Sequence, residues 1–293
     1  MIKSVFIMNI KTIFSKGALL VMTLTIFTAC GGGKTSNNSD NKAESTQLND
    51  TSKKPLNISI YLDLSDRLER QMTPSQKDRD IEIVDYLSEI VKKHAVAQKI
   101  LPSRDRIKVF FYPAPNDSKI ALLSKDLEMD LSKAQPAEKK QMLLDFQGKF
   151  NTSLTKIYEA TMQDKNWIGS DIWGFFKKQV DTYCIREDAR NIIVILTDGY
   201  LFYEPNKQKD GNNYSYILPQ TLSNPNSGLI VSRQGLENLE VLLLEVNPYD
   251  PKHQDRMETI LQKWLSDMGV QKMYVGVTDQ PSNTKLIIDK FMK

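Results

Sequence analysis

Two short stretches of the chain carry residues able to do chemistry. The first is Asn57 to Arg67, an apolar run that ends in the oxygen-bearing side chains Asp63, Ser65 and Asp66, with Arg67 directly behind them. The second, Asn191-Ile-Ile-Val-Ile-Leu-Thr-Asp-Gly, ends in Asp198 and Gly199. Between them, Gly169-Ser170-Asp171 precedes an amphipathic run. Every candidate donor here is oxygen. That set suits a hard divalent cation, Mg²⁺ or Mn²⁺ and by extension Ca²⁺, with waters completing the coordination. The expected ligands are Asp63, Ser65, Ser170 and Asp198. Asp66, Arg67 and Asp171 stand close enough in sequence to act as auxiliaries.

Nitrogen and sulfur chemistry has little material to work with. The two histidines, His94 and His253, lie in expected helices with no metal-ligand companion three or four residues away. This argues against a zinc site and against a Ser-His-Asp triad. Past Cys30 the one cysteine is Cys184, whose setting reads as a small buried hydrophobe.

The elements that must position these residues follow from periodicity. Strands are expected at 57–63, 105–112, 191–197, 239–246 and 273–277. Residues 118–131 offer a short edge strand. Helices are expected at 75–98, 136–164 (with Gly148 weakening its middle), 172–184, 251–268 and 284–292. Ser170 or Asp171 is the natural N-cap of the helix from Ile172. Strands alternating with helices, several apolar throughout, indicate an α/β fold: a doubly wound, mostly parallel sheet with helices on both faces. In such a sheet, loops leaving the strand ends gather on one rim, where sites form. Residues 56–293 read as one domain. Residues 203–228, rich in Pro, Gly and Asn, read as an irregular insertion on the same rim, and its Tyr203, Tyr214 and Tyr216 suit either a contact surface or a cover packed on the sheet.

Residues 1–29 read as a targeting segment. Lys11 and Lys16 precede an apolar run, Gly17 to Phe27, too short for an ordinary membrane span. Phe27-Thr28-Ala29-Cys30 resembles a bacterial lipobox, which implies lipidation of Cys30. Met8 is an alternative start. Residues 30–55, almost without apolar side chains, read as a disordered tether. Gly31-Gly32-Gly33-Lys34-Thr35 imitates the end of a phosphate loop, but Thr28 stands where the first glycine belongs and no strand leads in. The anchor implies a cell-envelope location, on the periplasmic side.

The chain has 293 residues, 40% hydrophobic and 26% charged, an ordinary globular composition. Its net charge of +3 comes from Lys3, Lys11 and Lys16, because the other 36 Lys and Arg match 36 Asp and Glu. No clustered basic excess remains for a nucleic-acid surface.

Together the three oxygen-rich stretches resemble the von Willebrand factor type A (vWA) domain and its metal-ion-dependent adhesion site. That site combines Asp-x-Ser-x-Ser after the first strand, a Thr in a Gly-Gly-Thr-like loop, and an Asp, often Asp-Gly, after the fourth strand. Here Asp63-Leu64-Ser65-Asp66-Arg67, Gly169-Ser170-Asp171 and Thr197-Asp198-Gly199 follow that order, with 28 residues from Ser170 to Asp198. The resemblance implies a bound cation with an open position that an acidic side chain of a protein partner fills, hence binding rather than catalysis. Arg67 replaces the second serine. Either Arg67 turns aside and pairs with an acid, with Asp66 or Asp171 supplying the missing oxygen, or it salt-bridges the carboxylates and leaves a metal-free scaffold. A hydrolase acting on phosphate esters is a third reading, since an aspartate at a strand end can serve phosphoryl transfer. Ser65 then stands where the general acid of an Asp-x-Asp pair belongs.

Overall fold

The computed structural model describes residues 54–165, 167, 169–201, 203, 208–210, 213–215, 235–248 and 251–293. The signal segment, Cys30 and nearly all of the tether lie outside these residues, as does most of 203–228, including Tyr216. The described elements belong to one unit, Asn49–Lys293.

In chain order the strands of the main sheet are β1 (Leu56–Leu62), β2 (Arg106–Phe110), β3 (Glu128–Asp130), β4 (Arg190–Leu196), β7 (Leu239–Val246) and β8 (Met273–Val277); β5 (Gln208–Asp210) and β6 (Asn213–Ser215) form a separate antiparallel pair. The helices are α1 (Gln76–Ala97), α2 (Ser118–Leu123), α3 (Pro136–Asp164), α4 (Ile172–Lys178), α5 (Val180–Cys184), α6 (Gln254–Asp267) and α7 (Pro281–Met292). The sheet order is β3-β2-β1-β4-β7-β8, parallel except for β3, which runs antiparallel to β2 at the edge. This is the doubly wound α/β arrangement. The strand order reverses between β1 and β4, and the crevice outside their carboxyl ends is where such sheets bind ligands.

Period-two alternation divides the strands between two cores. Ile58, Ile60 and Leu62 of β1 join Ile192, Val194 and Leu196 of β4 under α1, α3 and α7. Tyr61 joins Ile193 and Ile195 beneath α4, α5 and α6. The polar members of β1 are buried too, because both faces are covered. The Asn57 amide donates to the carbonyl of Cys184 and the side chain of Asn191, and the Ser59 hydroxyl donates to the carbonyl of Tyr183. These bonds compensate the desolvation of the Asn57 side-chain nitrogen and the Ser59 hydroxyl.

Three segments differ from expectation. Residues 118–131 supply the expected short edge strand only at β3; before it they form α2 and a 3₁₀ turn, because the Asp117 carboxylate accepts from the amides of Lys119 and Ile120 and starts a helix there. The helix expected at 172–184 is broken at Gln179, whose φ of −128° leaves the helical region. The last helix starts earlier, at Pro281, a residue preorganised for the first helical position. Gly148 does not interrupt α3. Among the described residues, no helix is long and apolar enough to cross a membrane.

Candidate functional site

The site is built on the strand ends at the reversal. β1 and β4 pair in register up to Leu62 and Leu196. The ladder then continues by one bond, Asp63 N–H to the Leu196 carbonyl at 3.0 Å. Asp63 and Thr197 therefore leave the sheet side by side. The Thr197 hydroxyl donates to Asp63 Oδ2 at 2.7 Å, and the Ser65 amide donates to Asp63 Oδ1 at 3.0 Å. One residue further, Asp198 accepts from the Tyr200 amide at 3.0 Å, and its carbonyl accepts from the Asn247 amide of the β7 exit. Gly199 permits this turn. Its φ is +95°, and a Cβ there would lie 2.4 Å from the sulfur of Met257.

Asp63 and Asp198 are nearly inaccessible, at 1% and 6% exposure. Burial raises the pKa of Asp63, partly offset by Arg67 and by bonds from Thr197 and Ser65. Burial, and then repulsion from Asp63, push Asp198 up to about 7. Asp66 opens the 3₁₀ turn Asp66–Glu69, is exposed, and adds to the repulsion on Asp198. Two buried carboxylates thus repel each other, and the nearby Arg67 charge offsets that repulsion and the cost of burial only in part.

The alternatives raised by the sequence turn on where Arg67 points. It is buried to 1% exposure, yet its ion pair is with Asp80 of α1, Nη2 to Oδ2 at 2.5 Å. Its Nε–H donates to the backbone carbonyl of Asp63 at 2.7 Å, not to that residue's carboxylate. Among the described residues it makes no ion pair within 4.0 Å with the carboxylate of Asp63 or Asp198. The bridging guanidinium expected of a metal-free scaffold is therefore not the arrangement present, because Asp80 is the better-placed anion. Asp80 also accepts from the hydroxyl of Tyr158 at 2.6 Å and the amide of Gln76 at 3.0 Å.

Ser170 is held by a different partner. The phenol of Tyr61 lies 2.8 Å from Ser170 Oγ and 2.7 Å from the Tyr112 carbonyl. A carbonyl only accepts, so the single phenolic proton goes to Tyr112 and Ser170 is the donor to Tyr61. The lone pairs of Ser170 stay uncommitted in that bond. The Tyr61 phenol is within electrostatic reach of Asp63, which together with burial raises its pKa. Asp171 is largely committed elsewhere, as the N-cap of α4, with Oδ1 accepting from the Gly174 amide at 2.8 Å. That close approach is possible because residue 174 is glycine; a Cβ there would lie 2.1 Å from Asp171 Oδ2.

Of the expected ligands, Asp63, Ser65 and Asp198 are thus gathered directly, together with Thr197. Ser170 bonds instead to Tyr61, on which Asp63 acts only electrostatically, and Asp171 serves a helix end. Tyr203 pairs with Gly169 in an isolated bridge, which brings one insertion tyrosine to the loop that carries Ser170. His94 is remote from the site: it bonds to Asp105, which also accepts from the first amide of β1, at the opposite end of the strands.

The residues present fit a hard cation. No three His, Cys, Asp or Glu side chains cluster at metal-binding spacing among the described residues. An ion here would rest on two carboxylates, neutral hydroxyls and water, a pattern Mg²⁺ commonly uses. Sequence reasoning missed Tyr61, Asp80, Tyr158 and Gln76. Gln76, Arg79 and Asp80 share one turn of a helix visible in the sequence, but nothing in their spacing marks them as buried.

No family model matches this sequence, and no curated protein matches it. Among solved structures, the pilus adhesin SpaC from Lactobacillus rhamnosus GG aligns with a TM-score of 0.40 and 11% identity, over 81% of this chain and 30% of that one. The chain thus spans less than a third of the adhesin's length.

Proposed function

We propose that this chain is a lipid-anchored protein of the bacterial envelope whose vWA-like domain binds a protein partner through a divalent cation, Mg²⁺ or Mn²⁺, at the sheet rim. One observation carries the reading. Two buried carboxylates, Asp63 and Asp198, leave adjacent parallel strands at the reversal of strand order, while the one buried guanidinium beside them is paired with Asp80. Two like charges held this way repel unless a cation or a proton lies between them.

Asp63 and Asp198 would hold the ion, with the hydroxyls of Ser65, Thr197 and Ser170 directly or through water. When bound, the ion supplies positive charge with an open position for a partner's acidic side chain. Asp63 is positioned by Thr197 and Ser65, and Ser170 by Tyr61. Asp66 and Tyr203 would stand at the edge of the contact surface. Cys30 tethers the domain to the membrane, with residues 31–55 as the spacer.

Thermal melting tests the cation. Excess Mg²⁺ or Mn²⁺ is expected to raise Tm relative to EDTA, by mass action on the native state. Asp63→Ala and Asp198→Ala are expected to abolish that rise. A wild-type protein indifferent to both metals would sink the reading. Turnover of a phosphate ester, lost in Asp63→Asn, would replace it with the hydrolase. Membrane fractionation of Cys30→Ser tests the anchor, since the variant is expected in the soluble fraction.

A further inference from the structure

A guanidinium at the position of Arg67 is a hazard to a cation site. It is permanently charged. It lies close enough to influence both Asp63 and Asp198, and its Nε–H already bonds to the Asp63 backbone. Left to itself, it would serve as the internal counter-ion and occupy the electrostatic role of a metal.

Asp80 prevents this. Its carboxylate is fully buried, and three donors converge on it: Arg67 Nη2, the Tyr158 hydroxyl and the Gln76 amide. Tyr158 comes from α3, whereas Gln76 and Asp80 come from the first turn of α1. The carboxylate is therefore fixed from two helices. The Arg67–Asp80 pair is electrically neutral, so Asp63 and Asp198 keep two formal negative charges when ionised, which is what a divalent ion requires. Arg67 Nη1 has no hydrogen-bond partner. Among the described residues, the hydrogen bonds that orient the guanidinium go to Asp80 and the Asp63 carbonyl.

We infer that Asp80 is a positioning residue for the cation site: it draws the Arg67 guanidinium into a neutral buried pair, and so keeps the Asp63–Asp198 carboxylates for an external divalent ion. This rests on the cation-dependent reading above. A purely structural Asp80 would have another signature. Removing a buried ion pair as a unit is often close to neutral, whereas removing one partner leaves an uncompensated charge. Deleting Asp80 alone and deleting the pair together therefore have different consequences for metal affinity.

The test is Mn²⁺ affinity by calorimetry on the full chain purified in detergent, with folding followed by circular dichroism. Asp80→Asn frees Arg67 and is expected to weaken Mn²⁺ binding by ~10- to 100-fold, the scale of lost outer-shell support. Arg67→Met/Asp80→Asn removes both charges and is expected to return affinity to within about threefold of wild type. Asp80→Asn binding Mn²⁺ as wild type does, or a double variant as weak as the single, would overturn the inference. Should Asp80→Asn fail to fold, the double variant decides alone: affinity matching wild type supports the positioning role, and a loss of about tenfold or more overturns it. Wild-type protein that binds no Mn²⁺ refutes the cation reading and this inference with it. Wild-type binding with an unaffected Asp80→Asn refutes only the inference.

Discussion

Asp198 illustrates how burial and a like charge set the behaviour of a single residue. Its ordinary pKa of 3.8 is raised to about 7 in the fold, first by burial and then by Asp63. Between those values the folded chain holds a proton that the unfolded chain has released. Stability from this group is therefore complete below about pH 4 and is lost as pH rises through about 7. Asp63 is displaced in the same direction. The metal-free protein is expected to show a falling Tm from about pH 4 to 7, read in EDTA by calorimetry. Asp198→Asn should flatten that slope. Saturating Mn²⁺ should also flatten it, because the ion takes the place of the proton. A slope in Asp198→Asn equal to that of wild type would refute the assignment.

Local rules account for most elements, and the departures are instructive. α3 runs unbroken from Pro136 to Asp164 across Gly148, although glycine in a helix interior has a conformational-entropy cost. Gly148 is solvent-exposed, and a Cβ added there meets nothing within 4 Å. Gly148→Ala is expected to stabilise the protein by ~0.5–1 kcal/mol, measured by urea denaturation. The segment at 118–131 shows a cap overruling a strand-like composition. The Asp117 carboxylate satisfies two amides of α2 at once, and a strand beginning there would leave it without that role. In β7, Glu245 takes a left-handed φ of 66° beside a register shift between Leu243 and Val246. Its composition reads as a plain apolar strand, and at this irregularity the Glu245 carboxylate meets Arg79 of α1.

Across the whole molecule, buried charge ties the site to three other parts of the fold. The Glu245 carboxylate accepts from Arg79 Nε at 2.7 Å and Nη2 at 3.1 Å, and it touches Gln76, which also bonds to Asp80. Arg79 donates further to the carbonyl of Asp279, just before α7. One turn of α1 thus joins the ends of β1, β7 and the approach to α7. Glu245→Ala strands the Arg79 charge in the interior and is expected to cost ~3–5 kcal/mol in urea denaturation. A loss under about 1 kcal/mol would show that water reaches Arg79 once its partner is gone.

The sequence by itself determined the α/β class, the main strands with the long helices between them, and the delivery of Asp63 and Asp198 to strand ends. These follow from periodicity, from apolar runs, and from Asp-Gly at a turn that only glycine fits, and all are local. It also exposed Arg67 as the residue on which the site turns. Which way Arg67 faces was decided only by tertiary structure. Its choice of anion depends on Asp80, Tyr158 and Gln76, brought together from two helices, and burial makes that choice energetically decisive. Likewise, Ser170 is aligned by Tyr61 from β1, whereas the capping of α4 by Asp171 is local and was expected from the sequence. Spacing along a chain names the donors available to a site. The neighbours that packing supplies determine which of those donors remain free.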